Sequence, residues 1–341
     1  MYLDHFGLRE APFRITPHTE FFFAGARRGA TLDALIYAIT RDEGIVKVSG
    51  EVGSGKTMLC RMLLEKLPAD VETVYLANPS LSRHEILHAI AAELHAPLPE
   101  KQTQLLQKSL QDRLLAIHAS GRLVVMLIDE AHAMPPETLE EIRLLSNLET
   151  NRHKLLHIVL FGQPELEQRL GESSMRQLKE RITHNFELEP LRRDDIGDYL
   201  MFRMRAAGYH GPDLFTAGAL QLISRASEGL TRRINILADK ALLAAYAGNT
   251  HQIDRPQIKA AIHDAQFKPM HERRTDRRAW ILGGGAIALL VLVAAIVYLT
   301  GNRQFGGDRL VTVPKTGAAV AAAASPVVAA APAPPAITMA A

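Results

Sequence analysis

The stretch at residues 50–57 reads GEVGSGKT and matches the eight-position P-loop pattern G-x-x-x-x-G-K-[ST]. It follows IVKVS at 45–49, which is typical of a strand, and precedes TMLCRMLLEKL at 57–67, which is typical of a helix. In this context the backbone N–H groups of the loop surround a phosphate group. Lys56 then reaches the β- and γ-phosphates, and the Thr57 hydroxyl binds Mg²⁺. We therefore predict ATP and Mg²⁺ as ligands, bound by Gly50, Glu51, Val52, Gly53, Ser54, Gly55, Lys56, Thr57 and Met58.

A second motif lies about 70 residues downstream. Residues 123–130 read LVVMLIDE, six apolar residues followed by two carboxylates. An apolar stretch of this kind is typical of a strand that is buried on both faces. Asp129, at the carboxyl end of that strand, is positioned to bind Mg²⁺ together with Thr57. Glu130 is the predicted residue that orients and polarises the attacking water.

Strand and helix patterns alternate over the first part of the chain. Further strands are predicted at 71–77, 155–161 and 184–188. Helical patterns lie between the strands, near 56–67, 82–95, 101–119, 136–148 and 165–181. Alternation of this kind predicts a parallel α/β sheet. The strand patterns end at Pro190, and the predicted helices that follow lie near 193–207, 214–228, 231–247 and 255–266. We predict an α/β nucleotide-binding domain over 1–190 and a small helical domain over 191–266.

Two polar residues follow predicted strands. Asn78 comes directly after the second strand, where its side chain could reach Glu130, although Asn-Pro is also a turn signal. Gln163 ends the fourth strand and could contact the γ-phosphate, and a plain turn residue is the alternative. Both are candidate catalytic residues.

Two arginine pairs are candidates for contacts with the γ-phosphate. Arg181 precedes the fifth strand, on an edge from which one subunit could offer it to a neighbour's nucleotide; Arg176 is the alternative. Arg232 begins a helix of the second domain and could fold back onto the phosphate, with Arg233 as the alternative.

The strongest composition break lies near residue 280. Residues 280–300 read WILGGGAIALLVLVAAIVYLT and carry no charge. A helix of that length spans about 30 Å, the thickness of a bilayer core. The preceding residues, 267–279, are basic, which predicts that the N-terminal part faces the cytoplasm. Residues 301–341 form a predicted disordered, Ala/Pro-rich, extracytoplasmic tail.

Charge argues against a protein that coats nucleic acid. The chain has 341 residues with 39 Lys+Arg against 37 Asp+Glu, and the first 278 carry 36 of each sign. A formally neutral body lacks the basic surplus that binds a phosphate backbone. Nucleic acid is therefore an unlikely partner.

Several segments together resemble a known family, the AAA+ ATPases of the ExeA/GspA and MshM type. The resemblance rests on MYLDHFGL at 1–8, PF at 12–13, TP at 16–17, GEVGSGKT, LETNRHKLLHIVLFGQPEL and TRRINILADKALLAAY, and it covers about residues 1–266. The opening MYLDHFGL is most similar to the MshM branch. The resemblance implies a P-loop AAA+ sheet domain with a C-terminal helical lid.

The resemblance also implies roles for four residues. Asn78 matches the glutamate switch, Gln163 sensor 1, Arg181 the arginine finger and Arg232 sensor 2. A proline often stands in the family where this chain has Thr231. ExeA-type proteins commonly carry a peptidoglycan-binding domain after the membrane helix, and the short tail here does not match one.

The combined prediction is an ATPase anchored in a bacterial inner membrane by one transmembrane helix, with the ATPase domain cytoplasmic and the tail periplasmic. The resemblance implies partners in type II secretion or mannose-sensitive haemagglutinin pilus biogenesis, and a homo-oligomeric ring. The alternative is a DNA-directed AAA+ ATPase, of the kind that regulates transposition or replication. A nucleotide-gated scaffold without hydrolysis is a third hypothesis, against which Glu130 counts.

Overall fold

Apolar stretches of the sequence form a parallel sheet. The computed structural model describes residues 2–41, 44–97 and 103–267. Within them the order of the strands is β2-β3-β4-β1-β5, and all neighbouring pairs run parallel. The predicted parallel α/β sheet is thus confirmed. The strands are β1 (Ile45–Ser49), β2 (Val71–Leu76), β3 (Leu123–Ile128), β4 (His157–Gly162) and β5 (Ile182–Glu187).

Helices connect the strands and form the region after β5. The predicted helix near 165–181 is two short helices, because Gly171 ends the first and a 3₁₀ turn precedes the second. The helices are α1 (Tyr2–Phe6), α2 (Arg28–Arg41), α3 (Lys56–Lys66), α4 (Arg83–Glu93), α5 (Thr103–Ala119), α6 (Pro136–Leu145), α7 (Pro164–Leu170), α8 (Arg176–Lys179), α9 (Arg193–Ala206), α10 (Ala217–Ser227), α11 (Thr231–Ala247) and α12 (Arg255–Ala265).

The sheet is buried on both faces. In β3, Val124 and Met126 belong to the apolar cluster that contains residues of α4, α5 and α6. Val125 and Leu127 belong to the opposite cluster, with residues of α2 and α3. Successive side chains of a strand point to opposite faces, so a continuous apolar stretch is needed when helices cover both. This is why β3 could be predicted from its sequence.

The strand order positions the candidate site. Parallel strands present their carboxyl ends at one edge of the sheet, and β4 lies between β1 and β3. Lys56 follows the loop after β1 as the first residue of α3, and the residues after β3 are Asp129 and Glu130. Gln163, directly after β4, therefore lies between the two motifs. A ligand site at this edge is typical of open α/β sheets.

Residues 2–23, called here the N-terminal segment, place most of their buried apolar side chains in the helical region that follows β5. Phe6, Leu8, Phe13 and Phe21 are buried in the apolar cluster formed by α9 to α12. The Tyr2 hydroxyl also donates to Asp239 on α11 at 2.8 Å. The grouping predicted for residues 1–190 did not anticipate this packing. All described residues belong to one compact unit.

The predicted membrane segments lie outside the described residues. This applies to the transmembrane helix at 280–300, the tail at 301–341 and the basic linker beyond residue 267. No helix within the described ranges combines the length and apolarity that a membrane crossing requires.

Candidate functional site

The loop between β1 and α3, residues 50–55, is called here the phosphate loop. Its conformation requires glycine at two positions. Gly53 and Gly55 have φ angles of 79° and 104°, in the left-handed region. A Cβ on Gly53 would lie 2.8 Å from Cβ of Arg232, and one on Gly55 would lie 3.0 Å from Nη1 of Arg28. The two glycines thus allow arginines from α11 and α2 to approach the loop closely.

Lys56 begins α3 and is directed back over the loop. The residue is 4% exposed, and its Nζ donates to the carbonyl oxygens of Gly50 at 2.8 Å and Glu51 at 3.0 Å. Burial lowers the pKa of Lys56, and the nearby carboxylates of Glu130 and Asp129 oppose that shift. An ammonium group has three donors, so one N–H remains for a phosphate oxygen.

Asp129 and Thr57 meet at the carboxyl end of β3. Asp129 is 5% exposed, and its side chain hydrogen-bonds with that of Thr57. Its Oδ1 also accepts from the backbone N–H of Glu130 at 2.9 Å. Burial raises the pKa of Asp129, while the bond with Thr57 lowers it. A carboxylate beside a hydroxyl is an oxygen donor set that fits Mg²⁺, and the buried carboxylate would gain a compensating charge from the ion.

Glu130 has an unusual backbone and a half-exposed side chain. Its φ of 54° lies in the left-handed region, which is uncommon for residues other than glycine. Its Oε2 accepts a hydrogen bond from Nε2 of Gln163 at 3.1 Å. Nδ1 of His132 lies 3.3 Å from the same oxygen. The structure thus brings Gln163 to Glu130, and it adds His132, which the sequence analysis missed.

Asn78 takes part in a turn instead. The side chain is exposed, and its Oδ1 accepts from the backbone N–H of Ser80 at 3.1 Å. No hydrogen bond joins Asn78 to Glu130 among the described residues. The Asn-Pro turn signal is therefore what this structure displays, and the role as glutamate switch stays a prediction.

The two arginines at the start of α11, Arg232 and Arg233, lie in different surroundings. The backbone N–H of Arg232 donates to the carbonyl oxygen of Gly53 at 3.1 Å, and the residue borders the cavity described below. The Thr231 hydroxyl donates to the same oxygen at 2.8 Å, so the residue that departs from the family pattern also contacts the loop. Arg233 instead forms an ion pair with Glu228 at 3.4 Å. Of the two, Arg232 is the one next to the phosphate loop.

The arginines before β5 lie away from the loop. Arg181 stands at the amino end of β5, whereas the phosphate loop lies at the carboxyl ends of the strands. Its Nη1 donates to the Ser146 hydroxyl at 3.3 Å. Arg176 pairs with Glu180 at 2.9 Å and is largely exposed. Among the described residues that border the cavity, neither arginine occurs.

A cavity of about 310 Å³ lies between the phosphate loop, the N-terminal segment and the helical region. Its walls include eight predicted residues: Val52, Gly53, Gly55, Lys56, Thr57, Met58, Glu130 and Arg232. Gly50 and Glu51 contribute the carbonyls that bind Lys56, and Ser54 is fully buried within the loop. Lining residues to which the sequence analysis gave no role in the site are Arg14, Ile15, Thr16, Pro17, Phe21, Phe22, Phe23, Arg28, Leu59, Leu188, Tyr199, Arg203, Thr231 and Asn235.

The N-terminal segment is held over this cavity by one buried arginine. Arg203 on α9 is 4% exposed, and its Nε donates to the carbonyl oxygen of Pro12 at 2.7 Å. Its Nη2 donates to that of Arg14 at 3.1 Å, and its guanidinium lies 4.7 Å from the ring centre of Phe21. The cavity lining therefore includes the aromatic rings of Phe21, Phe22 and Phe23 as well as the cations Arg28, Lys56 and Arg232. Aromatic rings can stack on the base of a nucleotide, and cations can pair with its phosphates.

Comparison with known proteins agrees with this geometry. A family model described as an AAA domain matches residues 39–170. General secretion pathway protein A of Aeromonas hydrophila is 42% identical over 265 residues, which are 77% of this chain and 48% of that protein. The chain thus spans about half the length of this relative.

Solved structures share the fold at low identity. Cdc6p of Pyrobaculum aerophilum has a TM-score of 0.55 over 71% of this chain and 67% of its own. ORC1 of Aeropyrum pernix, solved in complex with DNA, has a TM-score of 0.56 over 76% of this chain and 70% of its own. Both are 17% identical to this chain, so the likeness shows the fold alone. Taken together, the AAA domain match, the secretion-pathway relative, the phosphate loop and the acidic pair support an AAA+ ATPase of the ExeA/GspA type.

Proposed function

We propose that the chain hydrolyses ATP to ADP and phosphate in the cavity beside residues 50–57. The observation that carries this proposal is the position of Glu130. Its side chain borders the same cavity as Lys56 and Thr57, and it accepts a hydrogen bond from Gln163. A carboxylate there can orient a water molecule and accept its proton. The water oxygen attacks the γ-phosphorus while the bond from that phosphorus to the bridging oxygen of ADP breaks.

Charge around the phosphates supports this reaction. Lys56 has one donor left for a phosphate oxygen, and Arg232 lies against Gly53 of the loop. Thr57 and Asp129 would hold Mg²⁺, which supplies neutralising charge to the phosphates when bound. Catalysis of phosphoryl transfer consists mostly of positioning and such electrostatic stabilisation.

Gln163 and Asn78 are proposed to report the state of the nucleotide. The Gln163 amide has a second N–H besides the one that binds Glu130, and it can donate this to the γ-phosphate. Binding of ATP would then be coupled to the orientation of the carboxylate. For Asn78 to act as a switch, its side chain must first leave the bond with Ser80.

Arg181 is proposed to act on a neighbouring subunit. It lies at the amino end of β5, on the edge of the sheet opposite the chain's own phosphate loop. An arginine finger there requires a homo-oligomer, such as a ring, in which one protomer completes the next protomer's site.

The test of hydrolysis is phosphate release by the purified full-length chain with Mg²⁺ and ATP. We expect wild-type protein to release phosphate and Lys56→Ala to release almost none, because the variant lacks the phosphate-binding charge. Lys66→Ala, on the exposed end of the same helix, is the matched control and should match wild type. Equal rates for Lys56→Ala and Lys66→Ala would overturn the proposed site.

The cellular role is proposed to lie at the bacterial inner membrane. The relative is named for the general secretion pathway, and residues 280–300 of this chain are long and apolar enough for one transmembrane helix. We propose that ATP hydrolysis in the cytoplasm drives or regulates assembly of an envelope machine, a type II secretion system or a pilus of the mannose-sensitive haemagglutinin type. A reporter fused to the C-terminus should read periplasmic and one fused to the N-terminus cytoplasmic. A cytoplasmic C-terminal reporter would contradict the anchor.

A DNA-directed ATPase is the alternative that shares the same core motifs. The neutral charge of the first 278 residues argues against it. Binding of duplex DNA that falls steeply with salt would favour this alternative over the envelope role. Absence of such binding at low salt would exclude it.

A further inference from the structure

Arg28, which the sequence patterns did not single out, is a buried cation next to the phosphate loop. It is the first residue of α2 and is 7% exposed. Its Nη1 donates to the carbonyl oxygen of Ser54 at 2.7 Å. Within the described part of the chain, its Nε and Nη2 have no hydrogen-bond partner, although both are shielded from solvent.

A buried guanidinium with two unpaired nitrogens lowers the stability of the fold unless a further group supplies the missing hydrogen bonds. Buried polar groups in folded proteins are nearly always hydrogen-bonded, and a buried charge usually has a partner of opposite sign. Burial lowers the pKa of Arg28, and the charged or polar groups that oppose the shift are Tyr199 and Asp195 on α9. The guanidinium nevertheless retains two unused donors. The Ser54 hydroxyl, on the same loop, is a second buried group that lacks a partner among the described residues.

The two unused nitrogens have a specific geometry. Nε–H and one N–H of Nη2 lie on the same edge of the guanidinium plane, and they point in parallel. This edge donates two hydrogen bonds side by side to the oxygens of a phosphate or carboxylate. The single bond to Ser54 uses Nη1 and leaves the edge intact. Arg28 is thus fixed by one nitrogen, and the other two carry no hydrogen bond among the described residues but are covered, so a ligand reaches them only when the groups that shield them move.

Arg28 also borders the cavity, at a different place from the acidic pair. The position that a Cβ would take on Gly55 lies 3.0 Å from Nη1 of Arg28 and 3.6 Å from the Thr231 hydroxyl. Arg28 therefore stands where the loop meets the helical region. The charged neighbours of Lys56 are the carboxylates at the end of β3, whereas those of Arg28 lie on α9.

We propose that Arg28 binds the α-phosphate of the nucleotide through Nε and Nη2, while Nη1 keeps the loop in position. This inference rests on the proposed nucleotide function and adds a binding residue to it. Lys56, Arg232 and the acidic pair are assigned to the β- and γ-phosphates, so the α-phosphate is the group to which no cation has yet been assigned.

The test compares Arg28→Met and Arg28→Lys with wild type in the full-length chain. Dissociation constants for ADP and for a non-hydrolysable ATP analogue, each with Mg²⁺, are measured beside the thermal midpoint without nucleotide. We expect Arg28→Met to weaken both nucleotides by the same factor, roughly 10- to 100-fold, because it loses two charge-assisted hydrogen bonds. Arg28→Lys should weaken them less, since it keeps the charge but lacks the planar edge. Arg41→Met, exposed at the other end of α2, is the control and should bind as wild type does.

The nucleotide-free midpoint separates binding from a structural role. Because removal of a buried, incompletely paired cation is often neutral for stability, we expect the midpoint of Arg28→Met not to fall. Unchanged affinity in both variants would overturn the assignment, as would a fall in midpoint with unchanged affinity for either nucleotide. Loss confined to the ATP analogue would place the contact at the γ-phosphate and overturn it too. If wild-type protein binds neither nucleotide, the proposed function itself fails.

Discussion

Replacement of Arg203 by methionine tests how the cavity is assembled. The guanidinium of this buried residue donates to the carbonyl oxygens of Pro12 and Arg14, and it stacks on Phe21. Methionine keeps most of the packing but leaves both carbonyls without a donor, at a cost of about 1–3 kcal/mol each. Removal of a buried charge offsets part of this cost. We expect a net loss of roughly 2–3 kcal/mol in the free energy of unfolding.

Two measurements check this estimate. For a unit of this size the loss corresponds to a fall of roughly 4–12 °C in the thermal midpoint. Hydrogen exchange should also quicken in the N-terminal segment, because its anchor to α9 is gone, and nucleotide affinity should fall with it. Arg205→Met is the matched control, since Arg205 lies on the same helix, its side chain is 67% exposed, and it forms an ion pair with Asp213 at 4.0 Å. If Arg203→Met is as stable as that control and exchange in the segment is unchanged, the proposed anchoring is wrong.

Further changes probe the loop and the oligomer. Gly53→Ala forces a left-handed residue and a Cβ 2.8 Å from that of Arg232, so we expect weaker nucleotide binding and about 1–2 kcal/mol lower stability by titration and thermal unfolding. Wild-type affinity in this variant would show that the loop tolerates the side chain. Arg181→Ala mixed with Lys56→Ala should recover phosphate release that neither variant shows alone, since each supplies what the other lacks. No recovery on mixing, with wild-type activity independent of concentration, would indicate a site completed within one chain.

The sheet could be predicted because its signals are local. Residues of β3 are apolar without a break, and β1 contributes Ile45, Val46 and Val48, since helices cover both faces of the sheet. The glycines Gly53 and Gly55 of the loop adopt backbone angles that few other residues tolerate. The prediction of one continuous helix near 165–181 was wrong, because the chain forms two helices there, α7 and α8. There the apolar periodicity continues across Gly171, which the chain uses to end α7.

The part of the cavity lining that Arg28 and Arg203 form could not be predicted from local sequence patterns. Arg203 contacts Pro12 across 191 positions of the chain, and Arg28 begins a helix in a sequence that looks like a charged surface. Burial of both residues follows from tertiary packing, to which no periodic pattern corresponds. Gln163 could be placed near Glu130 because both residues follow the carboxyl ends of neighbouring strands. The contact of His132 with Glu130 depends instead on the turn after β3, which the sequence pattern does not specify.

Glu130→Gln gives the most direct test of the central claim, that this cavity hydrolyses ATP with Glu130 acting on the attacking water. The substitution keeps the size of the side chain and removes only its charge and its capacity to accept a proton. In the full-length chain we expect unchanged affinity for ATP, and a phosphate-release rate lower by about 10²- to 10⁴-fold. Glu65→Gln, on the exposed face of α3, should retain the wild-type rate. Wild-type turnover in Glu130→Gln would contradict the account.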